Sequence, residues 1–298
     1  MTSTTAVGAP HIPTHRTSSL SFPRVVRSEW IKLRTLRSTL WSFAIIVILT
    51  VGFGLLLAAT VKTTDGPALG LAAQNSLAVS VATLGVNFTQ LVAAVLGVLI
   101  ISGEYTTGMI RSTFAAVPTR LPAFFAKVLV LAVSTFVVGL VSIVATALVT
   151  MPILASKGIN ADLFDAHVMR ALLGGAGYLT LIALLAFGFG AILRSSAGGI
   201  ASALGLILVI PPVLSIVSSL TQATWIHNVS VFLPSAAGGR MFALGDAVSF
   251  RGGPPSTSGT QAASDLLTLD ATQGLLVLVA WVVVLLVTAA VLVMRRDA

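Results

Sequence analysis

Six apolar stretches without charged residues are separated by more polar segments along the chain. A helix needs about 20 apolar residues to cross the hydrocarbon of a membrane, where only its own backbone can satisfy its N–H and C=O groups. Each stretch reaches that length. The pattern predicts six transmembrane helices, over residues 40–61, 82–102, 128–150, 171–193, 197–219 and 272–294.

The composition indicates the same class of protein. Hydrophobic residues make up 56% of the chain and charged residues 9%, and the mean hydropathy of +1.02 is far above that of a water-soluble domain. We predict an all-α polytopic membrane protein whose transmembrane domain covers 40–298. A disordered tail over 1–21, rich in Ser, Thr and Pro, and an interfacial helix over 22–39 precede it.

The basic residues indicate the orientation of the spans. The positive-inside rule places both termini in the cytoplasm and makes residues 220–271 an extracellular loop. In this arrangement the inner segments hold most of the 17 Lys and Arg residues, namely Arg16, Arg24, Arg27, Lys32, Arg34, Arg37, Arg111, Arg120, Lys127, Arg194, Arg295 and Arg296.

The charge-free segment over 66–103 is longer than one span requires. Two spans there would move every later basic segment to the outside, which the positive-inside rule disfavours. We therefore predict a single span, preceded by an apolar segment over 67–81 that lies against the outer membrane interface.

Residues 22–39 have the periodicity of an amphipathic helix, with Phe22, Val26, Trp30 and Leu33 on one face. We expect this face to enter the inner leaflet boundary while basic residues meet anionic headgroups. The alternative is a set of flanking cations that only orient the first span. The candidate interfacial residues are Trp30, Lys32, Arg34 and Arg37.

The connection over 103–127 is longer than a plain turn between two spans needs to be. We expect Glu104 to end the second span, about two helical turns to follow over 107–115, and Pro118 and Pro122 to stop helix before the third span. Apolar anchors beside a cation are typical of a surface that binds a soluble partner. The candidate docking residues are Glu104, Thr107, Met109, Ile110, Arg111 and Phe114.

A few residues inside the spans are candidates for a translocation path. The polar ones form two pairs at helical spacing, and interhelical hydrogen bonding is an equally good interpretation of them. The prolines are expected to break the fifth span. The candidates are Asn87, Gln90, Ser142, Thr146, Pro211 and Pro212.

Several kinds of chemistry lack the residues that they need. The chain has no cysteine and only four histidines, and neither pair of histidines has the carboxylates that would complete a ligand set, so we expect neither a disulfide nor a metal site. The absence of G-x-x-x-x-G-K-[ST] argues against ATP hydrolysis by this chain. Dispersed basic residues without an aromatic platform argue against nucleic-acid binding, and we find no constellation typical of an enzyme.

Three motifs occur in a fixed order around the spans: SEWIKLRTLRST over 28–39, GEYTTGMIRSTF over 103–114 followed by Pro118 and Arg120, and FLPSAAGG over 232–239. Through them the chain resembles the permease subunits of type 2 ATP-binding-cassette exporters, in the drug and polysaccharide exporter superfamily. The resemblance implies a connecting helix over 22–39 and a coupling helix over 106–115. It also implies short helices at the outer mouth, for which 229–242 is the candidate.

The resemblance also implies a function. It suggests a permease in the bacterial plasma membrane, in contact with lipids, that exports an amphipathic compound such as a drug, an antibiotic or a lipid. ATP and Mg²⁺ would bind to a separate P-loop ATPase subunit, with no cofactor in this chain, and a second permease subunit, expected to be a copy of this one, would complete the path. The alternative is an ion-coupled carrier or channel, against which the absence of charged residues from the span interiors argues.

The predicted topology can be tested by cysteine labelling, since the natural chain has no cysteine. In intact cells a membrane-impermeant thiol reagent should leave Ala116→Cys and Ala298→Cys unlabelled and should label Ser258→Cys. Lysed cells provide the control, because all three variants should then react. Labelling of Ala116→Cys from outside would show that the segment over 66–103 crosses the membrane twice.

Overall fold

The computed structural model describes residues 21–62, 70–109, 121–221, 224–244 and 267–295. Six of its helices are long and apolar enough to cross a membrane, which confirms the predicted fold class. In chain order the helices are α1 (Phe22–Thr35), α2 (Arg37–Thr60), α3 (Leu71–Thr83), α4 (Val86–Thr106), α5 (Leu121–Ala155), α6 (Ala166–Leu193), α7 (Ser196–Leu204), α8 (Ile210–Thr221), α9 (Thr224–Val231), α10 (Pro234–Gly239) and α11 (Ala271–Arg295).

Helix α6 is the centre of the bundle and packs against α4, α5, α7 and α11. Its side chains Tyr178, Leu185 and Phe187 are among the largest that are fully buried. Small residues let the neighbouring backbones approach, as packing in a membrane requires. A Cβ atom on Gly97 of α4 would lie 2.1 Å from the carbonyl oxygen of Ala183, so only glycine fits at this contact.

The second span is formed by α3 and α4, which follow each other head to tail. Leu84 and Gly85 between them both keep right-handed helical backbone angles, so the chain does not reverse. This confirms the prediction of one span in this region. The expectation that 67–81 lies along the outer interface is wrong for its described part, because α3 packs against α2, α5 and α6 with Ala78 and Val79 buried.

Helix α1 ends at Thr35 rather than at residue 39. Leu36 takes an extended conformation, with φ −75° and ψ 116°, before α2 begins. The buried face of α1 also differs from the predicted one. It consists of Val25, Glu29 and Leu33, while Trp30 remains 39% exposed. The apolar part of this face packs on Ala123 and Ala126 of α5.

The predictions that Pro122 stops helix before the third span and that Pro211 and Pro212 break the fifth span are wrong, and Pro118 lies outside the described residues. Helix α5 already includes Pro122, which occupies the first turn, where a proline removes no helical hydrogen bond. The fifth span runs without a break from Ser196 to Thr221 through Pro211 and Pro212. A π-helical turn over Gly205–Val209 precedes this pair, and its wider hydrogen bonding absorbs the distortion that two prolines cause.

Short helices close the end of the bundle opposite to α1. Helices α9 and α10 overlap the candidate segment over 229–242. In α10, Gly238 packs against the ring of Tyr178, and the carbonyl oxygen of Ala237 lies against Gly274 of α11. Trp281 of α11 donates a hydrogen bond to the carbonyl oxygen of Phe232 at 3.0 Å. This end is therefore fixed to both α6 and α11.

A single lysine caps the end of α2 at the same side of the bundle. The Nζ atom of Lys157, in the turn after α5, donates to the carbonyl oxygens of Ala58 and Ala59 at 2.8 and 2.7 Å, and to that of Val61. The last carbonyl groups of a helix lack partners within the helix and carry partial negative charge, which a cation stabilises.

We predict that Lys157→Met lowers the stability of the fold by about 1–2 kcal/mol, because three carbonyl groups lose a charged donor. Thermal unfolding of the purified protein in detergent measures the effect. Lys62→Met is the matched control, since Lys62 is an exposed residue just after the same helix. Equal melting temperatures for the two variants would contradict the capping role.

Candidate functional site

Four charged side chains meet where α1, α4 and α5 come together. Helix α1 provides Glu29 and Lys32, α4 provides Glu104 near its end, and α5 provides Lys127 near its start. We call these four residues the charge cluster. Glu29 and Lys127 are each only 4% exposed, so most of the cluster lies out of water.

The carboxylates and ammonium groups of the charge cluster alternate in space. The Nζ atom of Lys127 lies 2.6 Å from Glu29 Oε2 and 2.6 Å from Glu104 Oε1. The Nζ atom of Lys32 lies 2.8 Å from Glu29 Oε1 and 3.2 Å from Glu104 Oε1. Each lysine thus bridges both glutamates, and the four formal charges cancel.

This arrangement is what makes the burial of the two glutamates possible. A charged group loses several kcal/mol of hydration when it leaves water, and a close partner of opposite charge must offset that loss. Lys127 is the buried partner common to both acids. Removing it would leave the two carboxylates with the partly exposed Lys32 as their one remaining cationic partner in the described part of the chain.

Lys32 closes the charge cluster on its more exposed side. Burial alone lowers the pKa of its ammonium group, but hydrogen bonding to Glu29 and the charge of Glu104 outweigh that effect, so the pKa is raised above its ordinary value of 10.5. The charge of Lys32 therefore stabilises the folded protein at neutral pH. This contribution is lost only as the pH rises through the raised pKa of Lys32.

The charge cluster joins the two helix ends that flank residues 110–120. Glu104 lies in the last turn of α4 before this segment, and Lys127 lies shortly after the start of α5. Glu29 ties the start of α5 to α1 by pairing with Lys127, and Lys32 ties the end of α4 to α1 by pairing with Glu104. The cluster therefore holds the connection between the second and third spans against a helix that lies outside the spans.

The predicted docking residues fall in different environments. Glu104 is buried in the charge cluster, whereas Thr107 and Met109 are exposed on the turn that follows α4. Ile110, Arg111 and Phe114, and with them most of the proposed coupling helix, lie outside the described residues. Their docking role stays a prediction.

The predicted interfacial residues also lie in two different environments. Trp30 is partly exposed on α1, and Arg34 and Arg37 are exposed at the junction with α2, where they can meet lipid headgroups. Lys32 instead turns into the charge cluster. Sequence periodicity placed it with the surface cations because an ion pair across 72 residues leaves no local signal.

The span residues proposed for a path are partly used in packing. Ser142 and Thr146 are buried and donate to the carbonyl oxygens of Val138 and Ser142 in their own helix, at 2.6 and 2.7 Å. Gln90 accepts a hydrogen bond from the hydroxyl group of Tyr178. Asn87 is exposed, as is Pro212, while Pro211 is half-buried. A path along these residues stays a prediction.

Sequence reasoning missed Glu29 as a site residue and treated Lys127 only as an indicator of orientation. The sequence did contain one signal. Glu29 is the only acidic residue in positions 1–61, and Glu104 is the only acidic residue in positions 101–127. Among the described residues, no group of His, Asp and Glu side chains could hold a metal ion. The chemistry of this site is therefore that of ion pairing.

The chain was compared with models of protein families. The family model for the ABC-2 family transporter protein matches residues 24–298, which include every member of the charge cluster. No curated protein matches the chain.

We predict that Lys127→Met destabilises the protein by about 3–5 kcal/mol, because it leaves two buried carboxylates without their common partner. Lys32→Met is the matched control. It should cost about 1 kcal/mol, since Lys32 is partly solvated and Lys127 still pairs with both acids. Thermal unfolding in detergent compares the two variants. Equal losses would mean that Lys127 is not the principal partner of the buried acids.

Proposed function

Because the chain belongs to the ABC-2 family of transporter proteins, we propose that it is the membrane-spanning permease subunit of an ATP-driven exporter. The observation that carries the proposal is the charge cluster, which ties the helix ends on either side of residues 110–120 to α1. A plain membrane anchor has no need for a connection that is held by buried ion pairs.

The proposed partner is a P-loop ATPase subunit that binds ATP and Mg²⁺. It docks on the exposed residues Thr107 and Met109 and on the following segment, which contains Ile110, Arg111 and Phe114. The positive-inside rule supports a cytoplasmic position for this surface, in the plasma membrane of a bacterium.

The charge cluster supplies a route for mechanical coupling. A push on the docking segment reaches α4 at Glu104 and α5 at Lys127. Lys32 joins Glu104 to α1, and Glu29 joins Lys127 to α1. Helix α4 packs closely on the central helix α6 at Gly97. Movement at the docking surface is thereby converted into a rigid-body shift of packed helices, the usual basis of a two-state transition.

The proposed assembly contains two permease subunits. In the described chain, every residue of α8 is exposed or half-buried, and α2 also has a large exposed apolar face. A second copy packed on these helices would enclose a path for an amphipathic compound between the subunits.

Native mass spectrometry of the complex should then give two copies of this chain per particle, and a single copy would contradict the dimer.

We predict that Arg111→Ala lowers the ATPase stimulation of the co-purified partner by about fivefold or more, which corresponds to the smaller coupling free energies between sites. The partner is obtained by affinity purification of the tagged full chain from its native host. ATP hydrolysis is then measured in lipid nanodiscs with and without the permease.

Arg240→Ala is the matched control, because Arg240 is an exposed arginine at the opposite end of the bundle. It should leave stimulation near the level of the unmodified protein. If Arg111→Ala has no greater effect than Arg240→Ala, the docking surface is not where we place it. Failure to recover any P-loop ATPase would count against the exporter function itself.

A further inference from the structure

A cavity of about 440 Å³ lies beside the charge cluster, between the junction of α1 with α2 and the end of α4. Its inner wall is apolar and includes the buried side chains of Leu33, Leu96 and Val130. Leu36 and Met109 at its rim are about half exposed, so the cavity opens to the surface. Its volume falls in the range of pockets that take small organic molecules, about 300–1,000 Å³.

One atom of the charge cluster is poorly satisfied. Both oxygens of Glu29 accept from a lysine, and Oε1 of Glu104 accepts from Lys32 and Lys127. Oε2 of Glu104 is buried and receives no hydrogen bond from the described part of the chain. The side chain of Glu104 is only 10% exposed and lines the cavity. A buried acceptor without a donor costs free energy, which a ligand that brings a donor recovers.

The charges select the kind of donor. An anion would meet a carboxylate oxygen, while the two ammonium groups nearby already point at carboxylates. A charged N–H donor forms a stronger hydrogen bond to a carboxylate than a neutral donor does. The apolar wall adds a second requirement. A ligand with an apolar part beside its amine binds more favourably, because contact with the wall removes both apolar surfaces from water.

We propose that this cavity binds an amphipathic amine. The side chain of Glu104 turns to bring Oε2 to the cavity wall, where the ammonium group donates to it. The apolar body lies along Leu33, Leu96 and Val130. Binding at this site needs neither ATP nor the partner ATPase, so its test is independent of the proposed transport function.

The test uses dansylcadaverine, a fluorescent probe with a primary amine, and the full-length protein in phosphatidylcholine nanodiscs. We expect saturable binding, and about tenfold weaker binding of the N-acetylated probe, which has lost the charged donor. Equal affinity for the two probes would overturn the proposal, because the carboxylate would then play no part in recognition.

A size series at Gly103 locates the site. Gly103 lines the cavity, and a Cβ atom added there meets nothing within 4 Å. Both Gly103→Ala and Gly103→Phe replace a helical glycine by a better helix former, so neither change works against the fold. Gly103→Phe should weaken binding of the amine probe about tenfold by filling the cavity, and Gly103→Ala should change it less than about twofold. Unchanged binding to Gly103→Phe would overturn the assignment to this cavity.

Competition identifies the natural source of the amine. Displacement of the probe by lysophosphatidylethanolamine supports the proposal with a lipid headgroup as the ligand. Displacement by dodecylamine without displacement by that lipid supports it with a free amine. Lysophosphatidylcholine lacks an N–H donor and is the control. Displacement by it as strongly as by either amine, or by none of the three, would overturn the proposal.

Discussion

Two carboxylates that lie out of water, one in the middle of α1 and one near the end of α4, impose the strongest constraint on this structure. Lys127 of α5 lies within hydrogen-bond distance of both Glu29 and Glu104, and its charge offsets their loss of hydration. The apolar contacts of α1 with α5 are few and small, centred on Val25, Ala123 and Ala126. Breaking a buried ion pair by removing one partner is strongly destabilising. The charge cluster therefore supplies the polar contacts that hold α1 against α4 and α5.

The rest of the bundle is held by contacts of another kind. At its centre, α6 and α4 approach so closely at Gly97 that neither helix can shift without the other. At the end away from α1, the helices are held together by hydrogen bonds to backbone carbonyl groups. The donors are the ammonium group of Lys157 and the indole of Trp281. The bundle therefore has one end that is held by ion pairs and one end that is held by hydrogen bonds to backbone carbonyl groups.

Hydropathy, together with the positive-inside rule over 66–103, was sufficient to predict the six spans, because the backbone groups of a long uncharged segment must be satisfied within the membrane. It was insufficient wherever long-range pairing overrides the local pattern. The buried face of α1 was misassigned because periodicity treats Glu29 as a surface residue, and its partner Lys127 is 98 residues away. The packing of α3 could not be seen because an apolar segment is equally compatible with lipid and with protein. The charge cluster itself needed three helices in place before its members could be recognised as neighbours.

The π-helical turn in the fifth span has a consequence for how this chain compares with its relatives. Ile210 donates to the carbonyl oxygen of Gly205, five residues back, so this turn contains one residue more than an α-helical turn would. One extra residue rotates everything that follows by about 100° around the helix axis. The side of α8 that faces outward is thus set by a single position. A relative with one residue fewer here would present a different surface with nearly the same sequence.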